Sequence, residues 1–188
     1  AKFKIIFSSA AQRRRSKTTI WMTRKMDAVV AMCCASARYL EKPPSKIVYH
    51  GVREDIYHPA KDKNAQWQTL GYPGKVGIGI LGRVRKQKGV HLFVESCIEA
   101  LKNHPEVTAV IVGAVARSDI AFKKALEVRV EEEGMTDRII FAGEQNFSDI
   151  PKIFSALSLV AALSDNEGFG LTIPEAMSSG AAVLASEA

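Results

Sequence analysis

The sequence lacks several features that mark particular classes of protein. No apolar run is long enough to cross a membrane, and no signal peptide opens the chain. Cysteine is scarce, and Cys33, Cys34 and Cys97 do not follow the spacing of a metal site. Adjacent cysteines are poor disulfide partners for each other, so we expect reduced thiols in a cytoplasmic setting. These absences argue against a membrane-spanning protein and against a disulfide-stabilised secreted domain.

The composition that remains is typical of a globular α/β protein. Of the 188 residues, 47% are hydrophobic and 24% are charged, which suits one or two domains with a buried core. Lysine and arginine total 26 against 20 acidic residues, a net charge of +6. This excess either is solvated surface or favours anionic partners such as nucleotides, phosphorylated lipids or a bilayer surface. Aromatic residues do not interleave with the cations, so no nucleic-acid partner is expected.

The first 50 residues predict short strands and helices. Strands are expected at residues 3–7, 28–32 and 46–49, and helices at 34–41 and from the basic stretch 12–17 to about residue 26. The earlier helix has an apolar side with Ile20 and Trp21 and a basic side with Arg24 and Lys25. Its basic side either is solvated or contacts an acidic acceptor or membrane phosphates. The latter would hold a cytoplasmic protein at the inner face of the cell membrane.

Beyond a domain boundary near residues 50–60, strand and helix patterns alternate. Residues 60–74 are polar and glycine-containing, which predicts a surface connector. Strands are then expected at 76–81, 107–112, 138–141 and 157–163, and helices at 89–103, 118–133, 148–155 and from about Pro174. In the helix at 89–103 the residues expected to face inward are Leu92, Phe93, Ser96, Cys97, Ala100 and Leu101. The alternation predicts a Rossmann-like, doubly wound parallel sheet, whose ligands bind at the carboxyl ends of the strands.

The segment 164–180 combines a strand end, a glycine-bearing loop and a helix start, which together suit an anionic ligand. Gly168 and Gly170 would let the backbone approach that ligand closely. Glu167 and Glu175 supply carboxylates, which accept hydrogen bonds from sugar or ribose hydroxyls. Alternatively, Thr172 is the N-cap of the helix and Glu175 completes a capping box.

A basic loop follows the first strand after the domain boundary. It reads Gly82-Arg83-Val84-Arg85-Lys86-Gln87-Lys88-Gly89. Arg83 can hold phosphate oxygens through two parallel hydrogen bonds, and Lys88 adds a point charge beside a helix start. Arg85 and Lys86 fit a solvated loop better than a ligand site. The sequence therefore predicts that Arg83 and Lys88 bind a diphosphate.

Gly77, Gly79 and Gly82 spell the G-x-G-x-x-G pattern of dinucleotide-binding proteins. That pattern requires a strand before it and a helix that opens from its last glycine. Here a turn precedes the pattern, and the first two glycines fall within the predicted strand. An NAD site is therefore disfavoured.

Several motifs together resemble a known enzyme family. Glu167 and Glu175 form E-x7-E around the residues Gly168-Phe169-Gly170-Leu171, and the basic loop with Gly82 and Gly89 precedes them. His50-Gly51-Val52 with Pro59 is similar to an interdomain crossover, and Gly143 follows the third strand after the boundary. This order resembles the donor half of retaining glycosyltransferases of family 4, which have the GT-B fold. Residues 6–59 further resemble bacterial lipopolysaccharide core mannosyltransferases.

The resemblance implies a role for each matched position. Arg83 and Lys88 would hold the donor diphosphate, Glu175 the ribose hydroxyls and Glu167 the donor sugar. The backbone amides of 168–171 would complete the cradle of the sugar phosphate. The glycines at 82 and 143 are further donor-binding positions. The segment Gly113-Ala114-Val115 lacks the second glycine that the family often has after the second strand, which leaves the contacts there open.

The resemblance also implies a reaction. The protein would transfer a sugar with retention at the anomeric carbon, without a cofactor or a required metal. GDP-mannose is the expected donor, and a lipid-linked or saccharide acceptor of the lipopolysaccharide core is the expected acceptor. There are two alternatives. The donor is a UDP- or ADP-sugar, or the protein is a non-catalytic module that binds nucleotide sugars.

The resemblance divides the chain into three parts. Residues 1–50 would end an N-terminal acceptor domain, 51–75 would be the interdomain crossover and connector, and 76–188 a truncated C-terminal nucleotide-sugar-binding domain. Ala1 in place of an initiator methionine fits an excised piece of a longer GT-B protein. The catalytic base would belong to the missing N-terminal part, so this chain alone is expected not to transfer sugar.

Overall fold

A computed structural model describes residues 4–9 and 16–187 of the chain. Their contacts divide the chain into a first unit, Ala1–Gly51 with Asn166–Leu171, and a second unit, Val52–Asp165 with Thr172–Ala188. Of the predicted basic stretch 12–17, residues 12–15 lie outside the described part. The start of the predicted strand at residue 3 lies outside it too.

The first unit contains a sheet of three parallel strands in the order β1-β2-β3. Its elements are β1 (Ile6–Ser9), α1 (Lys17–Thr23), β2 (Ala28–Ala31), α2 (Cys34–Ala37) and β3 (Lys46–Ile47). The Ser16 side chain caps α1 by accepting a hydrogen bond from the Thr19 amide. The predicted elements exist, but α2 and β3 are shorter than expected.

Helix α1 buries none of its residues. Trp21 is 60% exposed, and the ammonium group of Lys25 lies 4.6 Å from the centre of its ring. This cation–π contact links Trp21, on the predicted apolar side of α1, to Lys25 on its basic side. The apolar side of α1 is therefore a surface feature and contributes little to a core.

The second unit is built on five parallel strands in the order β6-β5-β4-β7-β8. The strands are β4 (Val76–Leu81), β5 (Val107–Val112), β6 (Ile139–Gly143), β7 (Leu157–Ala162) and β8 (Ala182–Ala185). The helices are α3 (Lys63–Thr69), α4 (Val90–Leu101), α5 (Ile120–Glu132), α6 (Ile150–Ala156) and α7 (Thr172–Ser178). The predicted α/β, doubly wound parallel sheet is confirmed, and the direction of winding reverses at β4.

Two apolar clusters cover the two faces of this sheet. Helices α4 and α5 pack on one face through residues such as Phe93, Val94 and Leu126. Helices α3, α6 and α7 cover the other face through residues such as Trp67 and Phe154. Because both faces are buried, the central strands β4 and β5 are apolar along most of their length.

The glycines of β4 make room for side chains from its neighbours. A Cβ on Gly77 would lie 2.1 Å from the Trp67 ring, and one on Gly79 would lie 2.8 Å from a methyl group of Leu157. Both glycines lie inside the strand, as expected. These two glycines therefore leave space for large neighbouring side chains on the sheet. This role differs from that of the glycines in a dinucleotide fingerprint.

The expectation that residues 60–74 are only a polar connector was wrong. This segment contains α3, which Asp62 caps by accepting a hydrogen bond from the Ala65 amide. Trp67 is 1% exposed. The ammonium group of Lys63 donates to the carbonyls of Leu157 at 2.9 Å and Gly180 at 2.7 Å. The helix is therefore held against β7 and the turn before β8.

The predicted inward face of α4 was wrong in part. Phe93, Cys97 and Leu101 are buried as expected, whereas Leu92 is 50% exposed. The other buried positions are Val90, Val94 and Ile98, and Ser96 and Ala100 are exposed. The buried face of α4 is rotated by about one residue from the predicted face, because β-branched Val94 and Ile98 pack on the sheet instead of the smaller Ser96 and Ala100.

Candidate functional site

A cavity of about 340 Å³ lies at the carboxyl edge of the second unit's sheet. It is lined by Leu81, Gly82, Arg83, Val112, Gly113, Ala114, Glu144, Gln145, Ile150, Phe154, Thr172 and Glu175. These residues come from the segments after β4, β5 and β6 and from helices α6 and α7. The volume is in the range of small-molecule sites, and the position is the one that doubly wound sheets use for ligands.

Backbone hydrogen bonds connect the segments that line this cavity. The Gly82 amide donates to Val112 at 2.9 Å, and the Val84 amide donates to Ala114 at 3.0 Å. Gly113 has a φ of 148°, and a Cβ there would lie 1.9 Å from the Gly82 carbonyl oxygen. A side chain at Gly113 would therefore separate the two loops. Ala114 still lines the cavity, although the family's second glycine is missing.

Arg83 is separated from the end of β4 by Gly82 alone and lies next to Val84, which is buried. Val84 anchors the loop in the core, while Arg83 itself is exposed at the cavity. No acidic side chain among the described residues of the second unit pairs with the Arg83 guanidinium. A guanidinium in this position is available to an anion that enters the cavity.

The other cations of the basic loop are placed differently. Lys88 ends a helical turn, Lys86–Lys88, immediately before Gly89 and α4, and is not among the residues lining the cavity. Lys86 is exposed as expected. Arg85 is only partly exposed, and its Nε atom is buried without a hydrogen-bond partner among the described residues. The structure thus brings Arg83, but not Lys88, to the cavity lining.

Glu175 lies in the first turn of α7 and lines the cavity opposite the loop of Arg83. Burial raises the pKa of its carboxyl group above the ordinary value, and the nearby Tyr57 hydroxyl acts in the other direction. Thr172 is the first residue of α7, one position after the N-cap that the capping-box interpretation assigns to it. The Glu175 side chain is partly buried and lines the cavity.

Gly143 ends β6 with a φ of 70°, and its carbonyl accepts a hydrogen bond from the Gly113 amide at 2.8 Å. The residues that follow it, Glu144 and Gln145, line the cavity. Sequence reasoning missed these two polar side chains. Their position directly after a strand end was the signal that could have found them.

The remaining predicted site residues, Glu167, Gly168, Phe169, Gly170 and Leu171, belong to the first unit. Within that unit the Cys33 thiol donates to the Gly168 carbonyl at 3.4 Å. The Phe169 ring meets the His50 ring edge-on, with 5.0 Å between centroids. His50 and Cys33 thus support this loop, a role that the sequence did not reveal because both lie far from it along the chain.

No group of three or more His, Cys, Asp and Glu side chains in residues 4–9 and 16–187 is arranged to hold a metal ion. In the same part of the chain, no helix has the length and apolar character needed to span a membrane.

The sequence is similar to curated enzymes of lipopolysaccharide synthesis. It is 44% identical to lipopolysaccharide core biosynthesis mannosyltransferase LpcC of Rhizobium leguminosarum bv. viciae, over 98% of this chain and 52% of that protein. It is 40% identical to lipopolysaccharide core biosynthesis mannosyltransferase LpsB of Rhizobium meliloti, over 99% of this chain and 52% of that protein. The chain thus spans about half the length of the curated relatives it matches.

The chain is also similar to solved structures and to a family model. The C-terminal domain of the glycosyl transferase group 1 family protein LpcC from Francisella tularensis aligns with a TM-score of 0.70 and 44% identity, covering 72% of this chain and 70% of that one. Anabaena HepE in complex with UDP and glucose aligns with a TM-score of 0.83 and 26% identity, covering 98% and 53%. The model of the family "Glycosyl transferases group 1" matches residues 62–188. With the GT-B type of sheet and the predicted motif order, these matches establish that the chain belongs to the group 1 glycosyltransferases.

Proposed function

We propose that this protein binds a nucleotide sugar as the donor half of a retaining glycosyltransferase. The reaction is transfer of mannose from GDP-mannose to an acceptor of the lipopolysaccharide core. The observation that carries the proposal is the cavity at the carboxyl edge of the sheet, which Arg83 lines from a strand end and Glu175 from a helix.

The two side chains match the two ends of a nucleoside diphosphate. The leaving group of the reaction is a diphosphate on which negative charge grows, and a fixed guanidinium stabilises that charge. The Glu175 carboxylate accepts hydrogen bonds only, so it suits ribose hydroxyls. Lys88 supplies a second positive charge near the same strand end. Contacts of this kind let protein cations neutralise the leaving group, and the reaction is proposed to need no metal ion.

The donor sugar is assigned to the loop of the first unit. Glu167 accepts hydrogen bonds from sugar hydroxyls, and the amides from Gly168 to Leu171 bind the sugar phosphate. The choice of mannose and of a lipopolysaccharide core acceptor rests on the two curated relatives, which are named as core mannosyltransferases. Retention at the anomeric carbon is part of the proposal and follows from the family resemblance.

A second candidate donor is a UDP-sugar. Anabaena HepE was solved in complex with UDP-glucose, and this structure aligns over 98% of the present chain with a TM-score of 0.81 and 25% identity. The reaction type would be the same, and only the base and the sugar would differ.

Calorimetric titration of GDP-mannose and UDP-glucose into the protein and into Arg83→Ala tests the proposal. A charge-assisted phosphate contact contributes about 1.5–3 kcal/mol, so Arg83→Ala is expected to weaken binding by roughly 10- to 150-fold. Lys75→Ala is the matched control, because Lys75 is an exposed cation just before β4, at the other end of the strand that Arg83 follows. Equal affinity of Arg83→Ala and the control would remove Arg83 from the site. Tighter binding of UDP-glucose than of GDP-mannose would favour the second candidate.

A further inference from the structure

The segment after β6 lines one side of the cavity with two polar side chains, Glu144 and Gln145. The side-chain amide nitrogen of Gln145 donates a hydrogen bond of 2.6 Å to the Ala142 carbonyl of β6. A carbonyl oxygen can only accept, so this contact fixes which end of the Gln145 amide faces the strand. The amide oxygen of Gln145, which is an acceptor, is therefore the atom left for a ligand.

Glu144 lines the same cavity with an exposed carboxylate. In the described part of the second unit, no lysine, arginine or histidine forms an ion pair with it. This includes Arg83, the cation among the residues that line the cavity. Because a carboxylate accepts hydrogen bonds only, the segment after β6 offers acceptors to a ligand on this side of the cavity.

The strand order places these acceptors away from the proposed diphosphate site. Strands β4, β5 and β6 are neighbours in the sheet, so the ends of β4 and β6 lie about 9–10 Å apart. With the diphosphate at Arg83 after β4 and the ribose at Glu175 on α7, the end of β6 is left for the nucleobase. Ile150 and Phe154 of α6 also line the cavity, and apolar side chains of this kind suit the flat face of a base.

We propose that Glu144 selects guanine as the base of the donor nucleotide. The inference rests on the proposed function, since it needs a nucleotide in the cavity. Guanine presents two neighbouring donors, N1–H and the 2-amino group, and the two oxygens of one carboxylate can accept from both. Uracil presents one N–H between two carbonyl oxygens, and adenine presents an amino group beside an acceptor nitrogen. Either of these bases would place an acceptor against the carboxylate, so Glu144 favours a GDP-sugar over a UDP- or ADP-sugar.

Calorimetric titration of GDP, inosine diphosphate and UDP into the protein and into Glu144→Gln tests this selection. The variant keeps the size of the side chain but replaces one acceptor oxygen with an NH2 donor. GDP binding is expected to weaken about 10- to 100-fold, whereas UDP binding should not weaken, which also shows that the site is intact. Inosine diphosphate lacks the 2-amino group, so the parent should bind it about tenfold more weakly than GDP. Glu144→Gln should largely lose this preference for GDP.

Glu132→Gln is the matched control, because Glu132 is an exposed carboxylate at the end of α5 and does not line the cavity. It removes the same negative charge from the protein, so it reports the general effect of that charge on the binding of an anion. This variant should bind all three nucleotides as the parent does.

Equal GDP affinity of Glu144→Gln and the control overturns the selection of guanine, and so does an equal loss of affinity for GDP and UDP in Glu144→Gln. Binding that depends on Arg83 but does not distinguish the three nucleotides would overturn the base assignment and leave the proposed nucleotide site in place. If the parent binds none of the three nucleotides, the proposed function fails and the guanine assignment fails with it.

Discussion

At the scale of single residues, the charge of Glu175 decides when the proposed ribose contact exists. Burial raises the pKa of this carboxyl group above its ordinary value, and only the ionised form accepts hydrogen bonds on both oxygens. Nucleotide affinity is therefore expected to fall as pH falls through the raised pKa. Glu175→Gln should bind more weakly at neutral pH and show no such fall, which calorimetry across acidic to neutral pH measures.

The ionisation of Glu175 also affects the stability of the fold, in the direction opposite to its effect on nucleotide affinity. The folded protein holds the Glu175 proton more tightly than the unfolded chain, so the free energy of unfolding decreases as pH rises from the ordinary carboxyl pKa to the raised one. Above that window the contribution is constant. Glu175→Gln should remove this slope and leave the melting temperature at neutral pH equal or slightly higher. A lower melting temperature with unchanged nucleotide affinity would identify Glu175 as a purely structural residue.

Residue types with a strong local signal could be singled out from the sequence. Arg83 next to a glycine at a strand end, and Glu175 at a helix start, carried such signals. Tyr57 carried none, because Phe154, which its ring packs against, and Ser178, which donates to its carbonyl, lie about a hundred residues further along the chain and meet it only through tertiary packing. Glu144 and Gln145 were overlooked because the strand before them was predicted to end early.

At the scale of elements, the close packing of α3 on β4 predicts that a methyl group added at Gly77 destabilises the fold. Gly77→Ala would place a Cβ 2.1 Å from the Trp67 ring, and neither the sheet nor the buried indole can move away freely. Overpacking of this kind costs about 1–3 kcal/mol, which corresponds to a melting temperature lower by several degrees. Gly51→Ala is the control, since no atom lies within 4 Å of the added methyl group. Thermal unfolding followed by circular dichroism should separate the two, and equal melting temperatures would contradict the proposed packing.

The elements that were predicted best are those whose sequence has one dominant signal. Strands β4 and β5 were predicted with their observed bounds, because both are continuous apolar runs next to turns. Helix α3 was missed because its seven residues carry a single large apolar side chain, Trp67, among polar ones. The face of α4 was misjudged because apolar residues occur on two adjacent stripes, and only the packing on the sheet chooses between them.

At the scale of the whole molecule, the second unit has what an independent domain needs. It contains both apolar clusters, the complete five-stranded sheet and the cavity. Residues 52–188 alone are therefore expected to unfold in one cooperative transition and to retain GDP binding that depends on Arg83. Residues 1–51 alone, with three short strands and no buried residue in α1, should show no such transition. Calorimetric scans of the two pieces measure both outcomes, and a gradual unfolding of residues 52–188 would contradict the assignment.

The strand order of the second unit also sets the sequence in which the cavity can be assembled. Strand β4 pairs with β5 after a single crossover through the turn Lys86–Lys88 and α4, but it pairs with β7 only after β5 and β6 have been made. The bonds from Lys63 to Leu157 and Gly180, and from Ser178 to Tyr57, span still longer stretches of chain. Contacts between distant residues form slowly, because a long loop must close first. A chain emerging from the ribosome therefore acquires the half of the cavity with Arg83 before the half with Glu175, and the proposed nucleotide site is complete only once that second half has folded.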